Sequence, residues 1–123
     1  MRHPTRAEWE AACAAGFESN GSTFSADTIY GVKIANGDNR WPPLPADLHD
    51  FRYFCGGTEL DRRNADQEFL DGLYARVDCL EEKSPIKWEA ARRRCRAYHE
   101  TVRLIGSTFW AKRERPEALE DET

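Results

Sequence analysis

The stretch NADQEFLDGLYARVDCL, residues 64–80, has the periodicity of a helix with an acid inside its apolar stripe. At about 100° per residue from Ala65, the side chains of Phe69, Leu80, Leu73, Val77 and Leu70 fall on an arc of roughly 40° to 140°. Asp66 falls near the centre of that arc, whereas Glu68, Asp71 and Asp78 lie outside it. A carboxylate among apolar neighbours is costly unless a donor or cation meets it. The fold is therefore constrained in one of two ways. Either another element brings Asp66 a partner, or Asp66 lies in the first turn, where the positive helix end favours an acid.

The rest of the chain supplies helices to pack against this one. Thr5 and Glu8 have capping-box spacing at the head of an alanine-rich helix, and Gly16 is its natural stop. Residues 17–45 are rich in Gly, Pro, Asn and Ser and predict loops, with at most a short strand pair around Thr28–Ile34. A helix is expected over about 46–55, closed by Gly56 and Gly57, and its antiparallel partner over about 64–80. The last helix, about 85–105, has Ser84 as N-cap, Pro85 in its first turn and Gly106 as its stop. Trp88, Ala91, Cys95, Tyr98, Val102 and Ile105 form one apolar stripe along it. The fold class is mainly α: one small helical domain over residues 1–115, with an acidic tail, 116–123, expected to be disordered.

Length and composition agree with one small domain, since 123 residues with 40% hydrophobic and 33% charged side chains support a modest core. The formal charge of −4 offers no global attraction for nucleic acid, and no specific nucleic-acid partner is indicated. The arginine run Arg92-Arg93-Arg94-Cys95-Arg96 reads as a solvated helix face. No transmembrane run is present, and MRHPTRAEWEAACAAGF lacks the apolar stretch of a signal peptide. The expected location is the cytoplasm of the producing host or the inside of a particle that leaves it. Cys13, Cys55, Cys79 and Cys95 include no C-x-x-C pair and are expected to be buried free thiols. Signatures of serine hydrolases, P-loop and dinucleotide-binding proteins and zinc proteases are missing.

The partner for Asp66 is sought on the preceding helix, in HDFRYFCGG. His49 and Tyr53 share one side of it at i, i+4 spacing. If the two helices pack antiparallel across the turn at 56–61, Asp66 reaches one nitrogen of His49. That bond sets the ring tautomer and leaves the other nitrogen for a water or a substrate, as a general base requires. Asp50 points elsewhere and is free to meet a cation, calcium or an arginine. Trp41, Pro42, Pro43, Leu44 and Pro45 form a rigid apolar stretch that reads either as a contact rim for lipid or protein or as a lid over the helices. His3 is expected to be exposed and His99 structural.

His49-Asp50-x-x-Tyr53 followed by Ala65-Asp66-x-x-Phe69 resembles the paired-helix core of the phospholipase A2 superfamily, the parvoviral-capsid type above all. The resemblance implies that His49 activates a water, Asp66 orients it and Tyr53 supports the network. It also implies that Asp50 binds calcium together with backbone carbonyls of a glycine-rich loop, here Tyr30, Gly31 and Gly37, although no G-x-G is present. Residues 41–110 are also similar to a family of small phage and prophage proteins of unknown function. That similarity rests on the His49 helix, on Arg63, Ala65, Asp66 and Phe69, and on Tyr98, Val102, Arg103, Gly106 and Trp110. It adds Arg103 to the supporting network, paired with a core or loop carboxylate.

Two functions follow from these residues. One is a phage-type, calcium-dependent lipid ester hydrolase working at a membrane surface. The other is an inactive virion or phage accessory protein, bound to phage structural proteins, in which the same groups form a buried polar network.

Overall fold

The computed structural model describes residues 1–19 and 27–111. The acidic tail, 116–123, lies outside the described residues, as does part of the loop-rich segment. Helix α1, Arg6–Ala14, starts at the Thr5–Glu8 capping box and turns Trp9 and Ala12 inward. A two-stranded antiparallel ribbon follows, β1 Thr28–Ile29 and β2 Val32–Lys33, with Ile29 opposite Val32. Its turn is Tyr30-Gly31, with φ of 48° and 80°. Positive φ at both turn residues matches the right-handed twist of a two-residue hairpin.

Helix α2, Pro45–Cys55, has proline at its first position and stops at Gly56 and Gly57, with φ of 69° and 134°. Helix α3 is Glu59–Val77, continued by a 3-10 turn over Asp78–Leu80. It begins earlier than the apolar stripe alone indicates, because Thr58 caps it and Asp61 completes a capping box. This earlier start places Asp66 two turns inside the helix, beyond reach of the end charge, and leaves pairing with another element as its means of compensation. Helix α4, Pro85–Ile105, runs from the Ser84 cap into a 3-10 turn, Gly106–Thr108. No helix among the described residues is long and apolar enough to cross a membrane.

Helix α3 is the centre of the molecule. Helix α2 packs antiparallel on one side, with Pro45 beside Gly72, His49 against Phe69 and Tyr53 on Asp66. Helix α4 also runs antiparallel to α3, with Trp88 and Arg92 on Asp78 at one end and Arg103 on Asp66 at the other. The main core joins Ile29, Ile34, Phe69, Leu73, Val77, Cys95 and Val102. A second cluster closes α1 onto α2 through Trp9, Phe17, Leu48 and Phe51, with the Trp9 and Phe51 rings stacked at 5.1 Å. Trp41 packs on Trp9 at 5.9 Å, while Pro42 beside it is exposed. The chain after α4 returns to the α2–α3 turn, where Trp110 Nε1 donates to Gly57 O at 3.0 Å and Gly57 N to Ala111 O at 3.1 Å.

All four cysteines are free. Cys55 and Cys95 are buried, and burial pushes the Cys95 thiol up to about 11. Cys79, expected inside, is exposed because it falls in the 3-10 turn after α3 has ended. Of the arginine run, Arg92 stacks on Tyr74 at 3.9 Å and Arg94 lies 5.0 Å over Tyr30. Arg92 is half-buried in this contact, whereas Arg94 and Tyr30 meet on the surface.

At Gly72 the helices α2 and α3 approach closely, since an added Cβ would lie 3.1 Å from two ring carbons of Pro45. A large side chain there pushes the start of α2 off α3. Gly72→Leu is expected to cost about 1–3 kcal/mol, read by urea denaturation, despite leucine's better helix propensity.

Candidate functional site

Asp66 has no exposed surface, and its two oxygens serve three helices. On Oδ1 it accepts from Tyr53 Oη at 2.7 Å and is joined to His49 Nε2 at 2.8 Å. On Oδ2 it accepts from Arg103 Nη1 at 2.7 Å, with Arg62 Nη1 at 3.6 Å as a longer ion pair. Arg62 is itself held by Glu59 through two bonds of 3.0 and 2.8 Å. Burial pushes the Asp66 carboxyl upward, but the bonds from His49, Tyr53 and Arg103 outweigh it, and the net displacement is downward. Burial first, then the Asp66 bond, raises the Tyr53 phenol well above its ordinary value. Tyr53 therefore stays protonated and donates.

An ionised carboxylate accepts only, so His49 Nε2 carries the hydrogen in this bond. In the neutral ring Nδ1 then keeps its lone pair, and it has no hydrogen-bond partner among the described residues. The imidazole is fixed between Tyr53 and Phe69, at centroid distances of 4.4 and 4.6 Å. A ring with a set tautomer, a set orientation and one open basic nitrogen can take a proton from water.

The structure brings His49, Asp66, Tyr53 and Arg103 into one network. Asp50, Tyr30, Gly31 and Gly37 do not join it. Tyr30 and Gly31 form the hairpin tip against Arg94, a cation. Asp50 lies near Ser19, whose hydroxyl is 3.3 Å from its Oδ2. Gly37 directs its N–H, at 3.0 Å, to Asp47. Among the described residues no group of three or more His, Cys, Asp or Glu side chains could hold a metal.

Sequence reasoning missed Arg62, Asp47 and the reason for Gly106. Arg62 becomes visible only once α3 is known to begin at Glu59, which puts it at i+3 from Glu59 and i−4 from Asp66. Asp47 stands at the third position of a proline-led helix, a capping place. Gly106 has an ordinary helical φ of −61° and needs no backbone freedom. A Cβ there would lie 2.3 Å from Tyr53 Oη, so the glycine leaves room for the hydroxyl that bonds Asp66.

Compared with known proteins, the chain matches no family model, no curated protein and no solved structure.

Asp66→Asn leaves His49, Tyr53 and two arginines without their anion. The expected loss is about 3–5 kcal/mol in chemical denaturation. The folded value of Asp66 lies below the ordinary 3.8, so its contribution is present above that value and lost as pH falls through the lower folded one. The stability gap between wild type and Asp66→Asn should be full above about pH 5 and narrow on further acidification. Gly106→Ala is expected to lower the melting temperature in the wild-type background and much less beside Tyr53→Phe, which removes the clashing oxygen. A four-protein thermal melt reads this coupling.

Proposed function

We propose that the protein is a His/Asp hydrolase of phospholipase A2-like design, a small phage- or prophage-type protein acting on lipid esters at a membrane surface. The observation that carries this reading is the His49 ring, held through Nε2 by buried Asp66 at 2.8 Å, with no hydrogen bond to Nδ1 among the described residues. In the reaction Nδ1 takes a proton from water, and the water oxygen bonds to the ester carbonyl carbon. Collapse of the tetrahedral intermediate breaks the bond to the alcohol oxygen, which receives the proton back from Nδ1. Asp66 stabilises the transient imidazolium and keeps the ring aimed. Tyr53 and Arg103 position Asp66 and do not touch the substrate.

One observation favours a second reading, an accessory protein of a phage particle docked on other structural proteins. Asp66 is crowded by Tyr53 and two arginines besides His49, as in a network kept for helix register.

His49→Gln separates the two readings. Glutamine keeps a donor for Asp66 but supplies no base. Hydrolysis of phospholipid vesicles by wild type, lowered 10²-fold or more in a variant that still folds, is the expected result. Equal rates for the two proteins would sink the hydrolase. A wild type without esterase activity, together with a large drop in melting temperature for His49→Gln, is the outcome that belongs to the accessory protein.

A further inference from the structure

The carboxylate at the foot of the 34–44 loop is Asp47, not Asp50. Asp47 has no exposed surface and receives four donors. Ser19 Oγ at 2.8 Å and Gly37 N at 3.0 Å meet Oδ1. Asn36 N at 2.7 Å and Leu44 N at 3.3 Å meet Oδ2. A carboxylate has about four lone-pair sites, so these donors fill it. The loop's direction is equally telling. Successive amides of Asn36 and Gly37 converge on one anion, with Gly37 at φ 75° making the reversal. Converging N–H groups build a concavity for an anion, whereas a calcium loop turns its carbonyls inward.

We infer that Asp47 is the built-in anion of this loop and occupies the organising place that the lipase resemblance gives to calcium, so that the loop is ordered without metal. The carboxylate ties together the end of the α1 segment at Ser19, the loop at Asn36–Gly37 and the start of α2 at Leu44. It thereby positions the helix that carries His49, two residues on. Asp50, half-buried on the next turn of α2, has Ser19 beside it and is not required to hold a cation. This inference goes beyond the hydrolase reading and does not depend on turnover.

Melting temperatures in millimolar calcium and in excess chelator test it, for wild type, Asp47→Asn, Asp50→Asn and Ser19→Ala. Wild type is expected to melt within about 1 °C in the two buffers, since a ligand that binds only the folded state would raise the value. Asp47→Asn, which sets an amide donor against backbone donors, is expected to melt on the order of 10 °C lower or to fail to fold. Ser19→Ala removes one donor and keeps the carboxylate, and is expected to fall by a few degrees. A calcium-dependent rise in wild type that disappears in Asp50→Asn would overturn the inference, as would Asp47→Asn melting with wild type. These melts read the loop in an inactive protein as well as in an active one, so their failure is distinct from the failure of the hydrolase.

Discussion

An ionised carboxylate with no exposed surface needs its lone pairs and its charge answered from within the protein, and Asp66 is answered from three helices. Helix α2 supplies an imidazole and a phenol, α4 supplies a guanidinium, and α3 adds a second guanidinium one turn away. Leaving such a group unmatched costs several kcal/mol, on the scale of a small domain's whole stability. The relative placement of α2, α3 and α4 is therefore tied to one atom pair. Gly106 shows how close the fit is, because the space a methyl group would take is already filled by the Tyr53 hydroxyl.

The same demand orients His49. A carboxylate flanked by arginines and a phenol remains an acceptor, which assigns the hydrogen of the histidine bond to Nε2. Aromatic neighbours on either side remove the ring's remaining freedom. The stability network and the candidate base are thus one set of contacts, so either function leaves the same residues in place.

Much of this was legible before the fold was known. Asp66 declared itself because periodicity put a charge on an apolar face, and the antiparallel helix pair named His49 as its partner, whereas Tyr53 entered the network through the lipase resemblance. Arg103 was reached through the phage-family resemblance, and not through spacing, because its contact with Asp66 joins positions far apart in sequence. The caps of α1 and α4 were plain, but Thr58 and Asp61 were passed over as turn residues, which shortened α3 and hid Arg62. Asp47 was obscured by its neighbour Asp50, which the resemblance favoured. Backbone amides have no signature in the side-chain sequence, so the convergence of Asn36 and Gly37 on Asp47 emerges only in three dimensions. The turn residues Tyr30 and Gly31 take the positive φ of a two-residue hairpin, which a Y-G pair alone does not announce.

The central claim is that buried Asp66 fixes the histidine with its proton on Nε2 and a free lone pair on Nδ1. Nitrogen-15 spectra of the His49 ring, recorded in the pH range where the ring is neutral, test it most directly. The account predicts a protonated Nε2 and a pyridine-like Nδ1, with the preference lost in Asp66→Asn. A wild-type ring protonated on Nδ1, or an even mixture of the two forms, would contradict it.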